Sequence, residues 1–265
     1  MAIIKSGLLE LDEVLGGGFK SGNVYTLVGR PAMGKTAFAV NVTKNQIENQ
    51  KKVVYFSVEM QKLSLVNRLI KTIGQIKGNM DMLSDKALEK SIHASRIICK
   101  SDLLIDDTPG ISVDEIDANL SIDVYKDADL IIIDYLQLLS AKDPETNKAF
   151  DTRKNEMRYI CKRLKEIAIK RDVAILVLSQ LSRYAEQRID HHPIISDIRD
   201  VSGVEEMSDV IMFLYRDQYY NKDTELKNIA EINVLNLETN EQIQTSFAFI
   251  PEYTAFSNLE KGRNI

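Results

Sequence analysis

Apolar residues along this chain come in two alternating textures. Short unbroken runs at 24–28, 53–58, 129–134, 173–178 and 210–215 are rich in β-branched and aromatic residues, as expected of strands covered on both faces of a parallel sheet. Between them, apolar positions three and four apart predict helices over 36–49, 61–73, 85–98, 113–125 and 151–171. In the last of these, Met157, Ile160, Cys161, Leu164, Ile167 and Ala168 form one stripe with lysines and arginines between them, so one side of that helix is core. Ser112 followed by Glu115 has the form of a capping box and starts a helix after the short strand 103–105. Farther on, 229–237 and 243–250 alternate apolar with polar residues around Glu238–Gln242, a hairpin at a sheet edge. The expected fold class is α/β, a mostly parallel twisted sheet flanked by helices with a C-terminal antiparallel hairpin. The pattern shows no repeat and no linker, so residues 1–265 are expected to form a single domain.

Composition narrows the function classes. With 44% hydrophobic residues in 265, the chain can bury a proper core. Its 34 basic residues against 39 acidic ones give a net charge near −5, which argues against a surface coated for nonspecific duplex binding and makes any nucleic-acid contact local. No apolar run reaches the roughly 18 residues of a membrane span, and the first residues lead straight into patterned sequence. A cytoplasmic location with no membrane partner is expected. Cys99 and Cys161 lack metal-ligand spacing and are expected to be two buried reduced thiols. His191 and His192 have no acid or cysteine at ligand spacing and read as loop residues.

The chemistry concentrates at Gly29-Arg30-Pro31-Ala32-Met33-Gly34-Lys35-Thr36, between a predicted strand and a predicted helix. Glycines there let backbone N–H groups turn around phosphate oxygens at a helix N-terminus; the lysine neutralises β- and γ-phosphate charge, and the hydroxyl can ligate Mg²⁺. Gly29, Pro31, Ala32, Met33, Gly34, Lys35, Thr36 and Ala37 are therefore the expected nucleotide cradle, with ATP and Mg²⁺ as cofactors. Asp134 closes the apolar strand 130–133, where it can hold the metal together with Thr36. Glu59, after strand 53–58, is placed to activate the attacking water, and Gln180, ending the strand after 173, to sense the γ-phosphate. Arg216 is a further nucleotide contact. Beside it, Tyr215, Tyr219 and Tyr220 are compatible either with stacking on the adenine or with plain packing.

The segments GRPAMGKTAFAVNV, VVYFSVEM, LIIIDYLQLL, ILVLSQLSRYAEQR, PIISDIRDVSGVEEMSDVIMFLYRDQYYNKD and FAFIPEYTAFSNLE together resemble the C-terminal ATPase domain of DnaB-type replicative DNA helicases, from about Ser6 to Leu259. The resemblance implies a RecA-like P-loop fold and six copies in a ring with nucleotide between neighbours. It also implies translocation along single-stranded DNA, 5′ to 3′. It assigns Lys35 and Thr36 to phosphate and Mg²⁺, Glu59 to the catalytic base, Asp134 to the second-motif aspartate and Gln180 to the sensor. It aligns Arg199, Asp200, Ser202 and Gly203 with a loop that grips successive DNA phosphates, contacts indifferent to sequence and sensitive to salt.

Two departures stand out. Where the family's terminal hairpin carries a Lys-x-Arg-Asn-Gly finger reaching the neighbouring subunit's nucleotide, this chain has Asn236 and Glu238 in place of the lysine and arginine. Hydrolysis by the chain alone is expected to be weak, with Arg183, Arg188 and Lys222 as the cations able to substitute. The family's N-terminal collar domain and linker helix are expected to be absent. Expected partners are single-stranded DNA and either further copies of the chain or, if it is a degenerate ATP-binding regulator, a true replicative helicase.

Overall fold

The computed structural model describes residues 2–78, 80, 83–181, 188, 190–198 and 203–259. Strands β1 (Ile3–Ile4) and β2 (Phe19–Lys20) make a small antiparallel pair on either side of helix α1 (Leu9–Val14). The main sheet contains β3 (Val24–Gly29), β4 (Val53–Ser57), β5 (Leu103–Asp106), β6 (Leu130–Asp134), β7 (Ala174–Gln180), β8 (Val210–Tyr215), β9 (Ile229–Asn236), β10 (Gln242–Ile250) and β11 (Ala255–Ser257). Their order is β11-β10-β9-β8-β3-β7-β6-β4-β5, parallel from β8 to β5 and antiparallel from β9 outward. The expected mostly parallel sheet with its terminal hairpin is thus observed.

Every residue of β3, β4, β6 and β8 is buried, which is why these strands read as continuous apolar runs. Alternate residues feed two cores. On one face Leu27, Tyr55, Ile132, Leu178 and Met212 pack under helices α2 (Lys35–Glu48) and α3 (Lys62–Gly74). On the other, Val28, Phe56, Ile133 and Val177 meet the Met157, Ile160, Cys161 and Leu164 stripe of α6 (Arg153–Arg171), together with α5 (Val113–Asn119). Helix α4 (Asp85–Cys99) packs on α3, and the short helices α7 (Val204–Met207) and α8 (Asp217–Tyr220) flank β8 in sequence. No described helix is long and apolar enough to cross a membrane.

The capping box forms as expected, with Ser112 accepting from the Glu115 N–H and the Glu115 carboxylate accepting from the Ser112 N–H. The helix it starts is shorter than the predicted 113–125, ending at Asn119. Arg171 explains the stop: its guanidinium donates to the carbonyls of Leu120 at 2.7 Å and Asp117 at 2.6 Å, satisfying acceptors that another helical turn would have needed. Cys161 is buried and burial pushes its thiol up to about 12. Cys99 is exposed, contrary to expectation, because it is the last helical residue of α4 and lies beyond that helix's buried Ala94.

Asp117 knits α5 to α6. Its carboxylate accepts from Arg171 Nε at 3.0 Å, Arg163 Nη2 at 3.1 Å and Lys170 Nζ at 3.3 Å. Burial alone would raise its pKa, but the hydrogen bonds from Arg171 and Lys170 outweigh that and hold it below the usual value. A depressed carboxylate contributes stability that is present above its unfolded pKa and is lost as pH falls through the folded one. Asp117→Asn is expected to cost about 2 kcal/mol at pH 7. In urea unfolding, wild type and variant are expected to converge as pH falls below about 4.

Candidate functional site

Strand β3 delivers the chain into a loop whose geometry is demanding. Ala32 and Gly34 both have positive φ, 64° and 110°. A side chain on Gly34 would lie 3.3 Å from the Phe249 ring and 3.5 Å from that of Phe256. Glycine there serves both the turn and the close approach of the loop to the β10–β11 aromatics. The first turn of α2 follows at once, so its unpaired N–H groups open into a cavity of about 490 Å³ lined by Pro31, Ala32, Gly34, Lys35, Thr36 and Ala37.

Parallel register brings the other groups to the same rim. Asp134 ends β6 opposite Ser57, the last residue of β4. The N–H groups of Val58 and Glu59 donate to the Asp134 carbonyl at 2.9 and 3.3 Å, which fixes Glu59 just beyond. Gln180 ends β7 opposite Gly29. Glu59, Asp134 and Gln180 all line the cavity. Asp134 is 2% exposed; it accepts from the Tyr55 hydroxyl at 2.9 Å and from the Thr36 hydroxyl. Burial pushes its carboxyl up against those bonds. Lys35 Nζ donates to the carbonyls of Gly29 at 2.8 Å and Arg30 at 3.1 Å. Desolvation lowers its pKa to about 8, with Asp134 and Glu59 pulling the other way.

Beside the loop, Arg216 lies 3.7 Å over the centre of the Phe249 ring and donates to the Ala32 carbonyl at 3.5 Å, and Pro251 and Thr254 also line the cavity. Tyr215, Tyr219 and Tyr220 do not line the cavity. Tyr220 stacks instead on His191 at 4.2 Å between ring centres, Tyr215 meets the His192 ring at a tilt at 3.9 Å, and Tyr219 meets Tyr220 edge-on. Tyr215 and Tyr220 are thus packed against histidine rings, while Tyr219 is exposed.

Two cradle residues sit behind the wall. Met33 is buried with its side chain in the core, and Gly29 lies beneath Lys35, where a Cβ would come 3.1 Å from the Leu214 carbonyl. Gly203 caps α7 at φ 95°, pressed against α6: a Cβ would fall 2.9 Å from Cys161 Cβ. Its presence is explained by that packing. Arg199, Asp200, Ser202 and Arg183 lie outside the described residues. Arg188 is committed to Asp197, with 2.7 and 2.5 Å bonds, while Lys222 is exposed after α8.

Three residues at the site escape a reading of local sequence. Exposed Arg68 on α3 lines the cavity. Gln137 bonds the Ser179 hydroxyl and both the N–H and the carbonyl of Gln180, all within 3.0 to 3.2 Å. Tyr55 holds Asp134. The faint signals were a polar residue inside an apolar strand and a glutamine following Asp134.

The hairpin tip stands elsewhere. Asn236 pairs with Val210, the first residue of β8, and β8 runs parallel to β3. Glu238 is therefore at the opposite end of the sheet from its own cradle, and it is exposed. The Asn236 side chain accepts from the N–H groups of Glu238 at 2.9 Å and Thr239 at 3.2 Å, closing the turn.

A glycine-bent loop entering a helix at the C-terminal edge of this parallel sheet, with carboxylates ending neighbouring strands, defines a RecA-like α/β protein of the P-loop class. A solved RadB recombinase shares the fold, at a TM-score of 0.61 and 17% identity, covering 97% of this chain and all of that one. The family model of the DnaB-like helicase C terminal domain matches residues 3–258, and the chain belongs to that family. It is 38% identical over 263 residues to the replicative DNA helicase DnaC of Bacillus subtilis (strain 168), a match covering 97% of this chain and 57% of that protein. A solved DnaB-like replicative helicase, whose structure describes its interactions with primase, superposes with a TM-score of 0.88 at 37% identity, covering 98% of this chain and 64% of that one. The chain thus spans little more than half the length of the curated relatives it matches.

Proposed function

We propose that this chain is the ATP-binding motor domain of a replicative DNA helicase, coupling ATP hydrolysis to movement on single-stranded DNA. The observation that carries the reading is the convergence of Lys35, Thr36, Asp134, Glu59 and Gln180, from four strand ends, on one cavity. The residues suit a nucleotide with its magnesium ion: the N–H groups starting α2 and the Lys35 ammonium are matched to phosphate, and buried Asp134 beside the Thr36 hydroxyl is a donor pair for a hard cation. When bound, the cation shields phosphate charge. Glu59, exposed at the rim, accepts the proton of a water aligned on the γ-phosphate. Gln180, with its backbone gripped by Gln137, reports the phosphate to the loop that follows. Arg216 on Phe249 offers a flat cationic surface to the base.

Single-stranded DNA as substrate, further copies of the chain as partners, one domain over residues 1–265 and a cytoplasmic location complete the proposal. DNA is gripped by the segment from Arg199 to Gly203. A tip that lies at the far end of the sheet from its own cradle acts only on a neighbour. In a ring of identical copies, each nucleotide would then meet Glu238 rather than a cation, and hydrolysis is weak for that reason.

The test is steady-state ATP turnover with and without single-stranded DNA, alongside mass by light scattering. The expected result is slow turnover that DNA raises and Lys35→Ala removes. Absence of nucleotide binding, or turnover that survives Lys35→Ala, would overturn the reading.

A further inference from the structure

Strand β4 is wholly buried, and all its side chains but two are aliphatic or phenylalanine. One exception is Tyr55, which is 0% exposed. A phenol with no water contact must place its O–H on an acceptor inside the protein. Register supplies one. Tyr55 pairs with Ile132, and one pleat higher on the same face Ser57 pairs with Asp134, so the ring lies directly below the Asp134 carboxylate. Its hydroxyl donates to Oδ2 at 2.9 Å. The Thr36 hydroxyl bonds the same carboxylate from the start of α2. Asp134 is thus held by two hydroxyls, one in the cavity wall and one beneath it. Packing alone would be served as well by phenylalanine. The added oxygen acts on Asp134.

We propose that Tyr55 is a positioning residue for the divalent cation, anchoring Oδ2 of Asp134 so that the rest of the carboxylate is aimed, beside Thr36, into the nucleotide cavity. The inference rests on the nucleotide reading above and deepens it. Tyr55 itself touches neither nucleotide nor metal. Its effect is the one expected of an outer-shell partner that fixes a ligand's orientation, where removal typically costs about tenfold or more in metal affinity.

The test is titration of Mg²⁺ into the protein saturated with a fluorescent, non-hydrolysable ATP analogue, and titration of the same analogue in EDTA, for wild type, Tyr55→Phe and Tyr55→Leu. Melting of each variant without ligand monitors folding. The expected result is a rise of about tenfold in the Mg²⁺ concentration giving half-maximal response in both variants, larger than any change in analogue affinity in EDTA. If only one variant folds, it alone decides. An unchanged Mg²⁺ midpoint overturns the proposal, and so does a loss of analogue affinity in EDTA equal to that in Mg²⁺, since both describe a residue that only packs. These failures leave the nucleotide reading standing. If wild type binds no analogue in either buffer, that reading falls first and takes this one with it.

Discussion

Asn236→Lys combined with Glu238→Arg is expected to raise DNA-stimulated ATP turnover of the assembled protein by about 10³-fold, the lower end of what a trans arginine contributes. The geometry requires the effect to pass between copies. Both positions close the hairpin at the edge of the sheet remote from the cradle of the same chain, so the new cations reach only a neighbour's phosphates. Replacing Glu238 also removes a carboxylate that would repel the γ-phosphate. The change has a local cost: Asn236 accepts two backbone N–H groups of the turn, and a lysine cannot. Because the tip is exposed, water takes over those donors, and the loss is about 1 kcal/mol of local stability. Turnover measured beside mass settles it. An oligomer that binds ATP and shows no gain would mean that this hairpin does not face the nucleotide.

In that faster background, Glu59→Gln is expected to lower turnover by about 10² to 10⁴-fold while nucleotide affinity stays within a few-fold. Glu59 is held by its backbone, through the N–H that donates to the Asp134 carbonyl, and its exposed side chain has no structural burden. The amide preserves size and leaves the hydrogen bonds of Lys35 and Asp134 intact. Single-turnover hydrolysis with parallel binding measurements separates the two quantities. A matched loss of affinity and rate would place Glu59 in binding rather than in proton transfer.

The parts of this fold that were legible are those written in consecutive residues. The run 210–215 is strand β8 residue for residue, because burial on both faces leaves no polar positions to confuse its period. The loop from Gly29 to Thr36 proposed as the nucleotide cradle is likewise continuous, and Asp134 and Glu59, which line the same cavity, stand out in the sequence because each ends an apolar run. Residues whose role depends on distant partners were not legible. Tyr55 acts on a carboxylate 79 positions away, and Gln137 on a strand end 43 positions away. The end of α5 is set by Arg171, 51 residues beyond Leu120. For the tyrosines beside Arg216, the local pattern allowed adenine or packing equally, and the rings that Tyr215 and Tyr220 meet, His191 and His192, come from a preceding loop. The small elements β1, β2, β11, α1, α7 and α8 run from two to six residues, too short for a period to show.

The central claim is that the cavity at the end of β3 holds ATP through Lys35. Calorimetric titration of a non-hydrolysable ATP analogue with Mg²⁺ into wild type and Lys35→Ala tests it most directly. One site per chain in wild type, weakened by about a hundredfold or more in the variant, is the predicted result; equal binding by the two proteins would contradict it.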